Sequence, residues 1–190
     1  MLFHKAFIYP NLVVLPLPKC ACTSIQKALQ SGQSYSIRST GHLQPDGKKV
    51  FTLTRSPYDR IVSFYLNKIK RGDSIEKNLT HEDLGFYVGM PFHEMVEAIH
   101  GIPDQEANRH FKQQTALCSP HGTMLATHIW SWDNIDGFWS AVQKEIDVPN
   151  LEHRRRTASR QHYRKYYTEY TRRLVEERYS DDLELLRYQF

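Results

Sequence analysis

The stretch Leu12-Val13-Val14-Leu15-Pro16-Leu17-Pro18-Lys19-Cys20-Ala21-Cys22-Thr23-Ser24 holds a strand, a loop and the start of a helix. Its opening run, Leu12-Val13-Val14-Leu15, is short, continuous and apolar, as expected of a parallel strand covered on both faces. Pro16 and Pro18 end it. Thr23 or Ser24 is then expected to cap a helix through Ile25, Ala28 and Leu29 that stops near Gly32. In such a loop successive backbone N–H groups converge on a point, and the helix start adds the positive end of its dipole. Lys19 brings a full charge to the loop mouth, and the hydroxyls of Thr23 and Ser24 add donors. The segment therefore reads as a site for a phosphate-like group at the carboxyl end of a strand, where ligands bind in open α/β sheets. It is not a Walker A loop, because G-x-x-x-x-G-K-[ST] is absent. The same residues also fit an ordinary strand–turn–helix junction, with Lys19 solvated and Thr23 a simple cap.

A second strand is expected over Val50-Phe51-Thr52-Leu53-Thr54, leading into Arg55-Ser56-Pro57-Tyr58-Asp59-Arg60-Ile61-Val62-Ser63. Pro57 suits the first turn of a helix whose Ile61, Phe64, Tyr65 and Ile69 form an apolar stripe at helical spacing. Arg55 falls at the carboxyl edge of that strand, and Ser63 about two turns into the helix, where its hydroxyl can face the same anion. Asp59 and Arg60 read as surface charges. Further on, a helix is expected after Pro91 with Phe92, Met95, Val96 and Ile99, and a third strand around His128-Ile129-Trp130. Another helix follows through Ile135, Phe138, Trp139, Val142 and Ile146. From Tyr163 to the end, dense charge with Tyr170, Leu174, Tyr179, Leu183 and Leu186 reads as helix against the body. Strand, loop, helix, strand, helix is the pattern of a parallel sheet with helical crossovers. The expected architecture is a three-layer α/β fold with a central parallel sheet, one domain over residues 1–190.

Composition bounds the function. The chain has 190 residues, 40% hydrophobic and 24% charged, as in an ordinary globular domain with a sizeable core. With 25 Lys and Arg against 21 Asp and Glu, the net charge of +4 does not mark a nucleic-acid binder, but clustered basic residues would favour small anions. They cluster in His153-Arg154-Arg155-Arg156 and again at Arg160, Arg164 and Lys165. Three cysteines, Cys20, Cys22 and Cys118, form no disulfide framework, so a reducing, cytoplasmic compartment is expected. No stretch approaches the roughly 18 apolar residues of a membrane span, and no secretion signal is readable at the N-terminus. Neither H-E-x-x-H nor a paired C-x-x-C occurs, and Cys20-x-Cys22 is too closely spaced for a structural zinc, so no metal is expected.

The two loops together resemble the PAPS-dependent sulfotransferases: P-K-x-x-x-T-S after the first strand, then R-x-P with a serine eight residues beyond that arginine, Arg55 to Ser63. The resemblance implies that Lys19, Cys20, Ala21, Cys22, Thr23 and Ser24 hold the 5′-phosphosulfate of the donor, while Arg55 and Ser63 bind its 3′-phosphate. It also implies a P-loop-NTPase-like sulfotransferase fold. The carbohydrate-type branch often carries a histidine between the motifs, and His42 occupies that place as the implied base. With 10 histidines in the chain, position is its main support, and His110 and His128 are the substitutes. Gln114, in His110-Phe111-Lys112-Gln113-Gln114, resembles a recurring segment of that branch. So does the ending from His153 through Tyr163, Tyr167, Val175, Tyr179 and Asp182 to Tyr188, in which Arg156, Thr157 and Arg160 would close over the nucleotide. Gly72 to Gly89 matches poorly. Ser56 stands where the family usually has an acidic or amide residue, and the glycine-rich loop of the cytosolic small-molecule enzymes is missing. Both departures bear on the acceptor more than on the donor.

The implied reaction moves a sulfuryl group from PAPS to an acceptor hydroxyl, a carbohydrate or other polar alcohol, leaving PAP. Positioning and charge stabilisation supply most of the catalysis in such an in-line displacement. A neutral histidine suits removal of the acceptor proton, and Lys19 suits the charge on the leaving oxygen. Two other readings remain. A phosphotransferase on a degenerate P-loop lacks the Walker lysine context and an obvious magnesium carboxylate after a strand. An RNA-binding module would use Arg154 to Lys165, but nearby Glu169 and Glu176 suggest a solvated helix face, so no nucleic-acid partner is expected.

Overall fold

The computed structural model describes residues 5–70, 85–152 and 163–190. They form five strands, β1 Lys5–Ile8, β2 Leu12–Leu15, β3 Ser36–Ser39, β4 Lys49–Thr54 and β5 His128–Ser131. The α-helices among them are α1 Cys22–Gln30, α2 Pro57–Phe64, α3 Phe92–Gly101, α4 Gln114–Cys118, α5 Ile135–Glu145, α6 Glu169–Arg178 and α7 Ser180–Leu186. The described residues divide into two compact units, 5–55 with 114–152, and 56–70 with 85–113 and 163–190.

The first unit is built on one sheet in the order β3-β1-β2-β4-β5. β2, β4 and β5 run parallel, as expected, but β1 is antiparallel to both β2 and β3, so the sheet is mixed rather than parallel. Chain length explains this. Only Tyr9, Pro10 and Asn11 separate β1 from β2, with the Tyr9 amide donating to the Leu12 carbonyl at 2.8 Å. A parallel neighbour needs a crossover of about a dozen residues, whereas so short a link permits only a hairpin.

All four residues of β2 are buried, as a strand covered on both faces requires. Alternate side chains enter two separate cores. Phe7, Leu12, Val14, Phe51 and Leu53 pack with Ile25 and Leu29 of α1 and with Phe138 and Val142 of α5. Ala6, Val13, Leu15 and Val50 pack instead with Leu17, Cys20, Leu43 and with Leu117 and Cys118 of α4. Gly32, just beyond α1, permits close packing: a Cβ there would lie 2.5 Å from the Asp147 carbonyl oxygen.

The second unit is helical. Ile61, Phe64, Ile69, Met95, Val96, Ile99, Phe111, Leu174, Val175 and Tyr179 form its buried centre. The α-helical turn stops at Phe64, and Tyr65–Lys70 continues as a wider π-helical segment. Tyr65 is thereby only partly buried, edge-on to Phe92 and Tyr166. The C-terminal helix is two helices, broken at Tyr179. That side chain is fully buried and its hydroxyl donates to the Phe111 carbonyl, which fixes the break; burial pushes the phenol well above its ordinary range. Tyr170, expected on the packed face, is 46% exposed. Arg60 corrects the sequence reading more sharply. It is not a surface charge but fully buried, its guanidinium donating to the Lys112 carbonyl at 2.7 Å and the Arg109 carbonyl at 3.1 Å. A guanidinium carries five donors, and the turn ahead of α4 offers carbonyls to meet them.

Candidate active site

The strand register decides what meets at the sheet edge. Leu15 pairs with Thr52, and Thr54 with Ser131, so the loop after β2, Arg55 after β4 and Trp132 after β5 leave the sheet at one edge. Ser39 pairs with Lys5 at the start of β1, and β3 therefore ends at that same edge, followed by the turn Thr40–His42. The loop, the arginine and His42 thus lie along one edge of the sheet, with β3 separated from β2 by β1.

The loop itself is strained in a telling way. Lys19 has φ 69° and Ala21 φ 54°, left-handed conformations that residues with a Cβ seldom adopt. Each costs on the order of 1–3 kcal/mol and persists only where its surroundings enforce it. A left-handed residue turns neighbouring N–H groups to one side of the chain, the element from which anion nests are built. Cys20, buried between the two, anchors the loop: its amide donates to the Leu17 carbonyl at 3.1 Å.

Ala21 is also the cap of α1, in place of Thr23 or Ser24. The Ala21 carbonyl already accepts from the Ile25 amide at 3.0 Å, so the helix starts at Cys22 and the two hydroxyls fall within its first turn. There the N–H groups of Cys22, Thr23 and Ser24 have no partner inside the helix. No acidic residue stands in this turn to oppose an incoming anion. Thr23 is exposed, and Lys19, Cys22 and Ser24 are partly so.

Arg55 is only 7% exposed. Its guanidinium donates to the Lys19 carbonyl at 3.1 Å and lies over the Trp132 ring, 5.1 Å from its centre. Gln114, fully buried at the start of α4, meets the backbone of Arg55 from the other side. Ser63 is buried on α2, in the helical unit.

His42 is exposed, and the carbonyl of the preceding Gly41 accepts a hydrogen bond from His121 Nε2 at 2.8 Å. His128 lies elsewhere. It begins β5 rather than ending it, three residues before Ser131, roughly 10 Å away at the rise of a parallel strand. It stacks on Trp130 and its Nδ1 is 2.9 Å from Thr127 Oγ1. His110 belongs to the helical unit, where Asn108 Oδ1 accepts from both its backbone and its ring Nδ1. Arg156, Thr157 and Arg160 lie outside the described residues.

Trp132 and His121 escaped the sequence reading. An aromatic directly after a strand at the ligand edge was the available signal for Trp132; His121 carried none. Among the described residues, no group of three or more His, Cys, Asp or Glu side chains could hold a metal, and no helix is long and apolar enough to cross a membrane. None of the three cysteines forms a disulfide.

A loop with two left-handed residues, a helix start, a lysine and a buried arginine at one strand edge are groups that can hold a multiply charged oxyanion. A family model described as the Sulfotransferase family matches residues 9–189. The chain belongs to the sulfotransferase family. The match takes in both loops, the segment around Gln114 and the helices that follow, so sulfuryl transfer is the chemistry of this sulfotransferase as a whole. Comparison with curated proteins and with solved structures returns no match in either case.

Proposed function

We propose that the chain transfers a sulfuryl group from PAPS to a hydroxyl of a carbohydrate or another polar alcohol. The observation that supports it best is the pair of left-handed residues, Lys19 and Ala21, in the loop between β2 and α1. In this reading Lys19 to Ser24 wrap the 5′-phosphosulfate. Arg55 and Ser63 hold the 3′-phosphate, and Arg156, Thr157 and Arg160 close over the nucleotide, three assignments that rest on the motif resemblance. The fold is then a single sulfotransferase domain of the three-layer, P-loop-like kind, and the three thiols suit a reducing, cytoplasmic compartment.

The chemistry is an in-line displacement at sulfur. A lone pair of the acceptor oxygen forms the new S–O bond as the bond to the bridging oxygen breaks, and that oxygen leaves with its electron pair on PAP. His42 takes the acceptor proton. Lys19 and the N–H groups of the loop meet the charge growing on the bridging oxygen, where preorganised donors act most strongly. No step needs a metal. His42 emerges at the same edge as the loop, which favours it over His128 on position alone.

The test is transfer from radiolabelled PAPS to a panel of mono- and oligosaccharides, simple alcohols and phenols. Label on sugars or polar alcohols, lost in His42→Ala, is the expected result. Label on phenols alone overturns the acceptor class, and γ-phosphate transfer from ATP with none from PAPS overturns the donor.

A further inference from the structure

Gln114 is a fully buried amide whose side chain reaches both Arg55 and the loop after β2. Its Oε1 accepts from the Arg55 amide at 2.9 Å and from Cys20 Sγ at 3.3 Å, and its Nε2 donates to the Arg55 carbonyl at 2.9 Å. We propose that Gln114 is the positioning residue that locks Arg55 to the Lys19–Cys20 loop, so that both engage the donor nucleotide as one rigid receptor. This inference rests on the donor reading given above.

The need for such a lock follows from where the sheet ends. The ladder between β4 and β5 closes at Thr54 and Ser131. Arg55 is the next residue, and its buried N–H and C=O require partners that the ladder no longer supplies. The Gln114 side chain supplies both, as the peptide group of a further strand would. Only a primary amide of this length offers a donor and an acceptor side by side: glutamate can only accept, leucine does neither, and asparagine is one carbon short. The chain then closes on itself. Cys20 donates to Gln114, Gln114 holds the Arg55 backbone, the Arg55 guanidinium donates to the Lys19 carbonyl, and Lys19 is bonded to Cys20. The ring fixes the backbone from which the Arg55 side chain projects and ties it to the strained loop. Buried polar networks satisfied in this way rigidify what they connect.

The consequence is specific to the 3′-phosphate. Gln114→Glu keeps shape and acceptors but loses the donor to the Arg55 carbonyl. It is expected to weaken PAP binding about tenfold, the scale of one buried hydrogen bond. Binding of adenosine 5′-phosphate, which lacks the 3′-phosphate, should change little. In an Arg55→Ala background the same substitution should cost nothing further. Equal loss for both nucleotides, or additive losses with Arg55→Ala, would mark Gln114 as a merely structural residue and overturn the proposal. A second readout needs no variant: hydrogen exchange at the Arg55 amide should be as slow as in the middle of β4. Rapid exchange there overturns the lock even if Gln114→Glu does not fold. Wild-type protein that binds PAP while Gln114→Glu binds it equally well refutes the lock alone; wild-type protein that binds no PAP refutes the donor reading and the lock with it.

Discussion

At the scale of single residues, the strain at Ala21 makes a prediction that side-chain chemistry does not. Ala21→Gly suits φ 54° and should leave stability within about 1 kcal/mol of wild type, since relief of strain offsets a more flexible unfolded chain. Ala21→Val puts a β-branched residue where it is a conformational outlier and should destabilise by roughly 1–2 kcal/mol. If the loop is a nest, Gly should retain PAP binding and Val should lose it; urea unfolding and titration calorimetry read the two effects, and unchanged binding in Ala21→Val contradicts the nest. Lys19, Arg55 and the hydroxyls were legible beforehand because their chemistry is carried by residue type next to a strand end. Gln114 was visible only as a likeness, because its partners, Cys20 and Arg55, are remote in sequence. Arg60 was misread since a charged residue near a helix start belongs by default to solvent, and only the carbonyls of Arg109 and Lys112 justify burying it.

At the scale of elements, strands long and apolar enough to be covered on both faces could be read directly, as β2 and β4 show. The strands β1 and β3 could not. β1 buries only Ala6 and Phe7, and β3 shows three exposed positions of four, so neither carries a hydrophobic period. The pairing of β1 with β2 comes from the hairpin at Tyr9 to Asn11, a constraint of chain length rather than of pattern. Tyr9 also ties the hairpin to α1, its hydroxyl donating to the Leu29 carbonyl at 3.0 Å. Burial, with a smaller contribution from Tyr35, pushes its phenol from 10.0 to about 12. The folded state thus keeps a proton that the unfolded chain releases. The associated stability is complete below pH 10 and is lost as pH rises toward about 12. Urea midpoints measured across that window should fall, and less steeply in Tyr9→Phe; an identical slope in the variant contradicts the assignment. Tyr58 and Tyr179, raised mainly by burial in the helical unit, contribute in the same direction and remain in Tyr9→Phe.

At the scale of the whole molecule, the family match runs through both units, whereas the site geometry described above lies within the sheet unit. The two strand–loop–helix junctions at Leu15 to Cys22 and at Thr54 to Pro57 were readable from their apolar runs and prolines. The place of β3 in the sheet and the division into two units were not, since they depend on contacts between distant segments. The donor reading proposed above asks for two anion receptors, one for a 5′-phosphosulfate and one for a 3′-phosphate. Calorimetric titration of the full chain with PAP, with Lys19→Ala and Arg55→Ala alongside, tests this most directly. Micromolar binding in the wild type, lost in both folded variants, is the expected result. A folded wild-type protein that binds neither PAP nor PAPS would contradict it and return the two loops to ordinary turns.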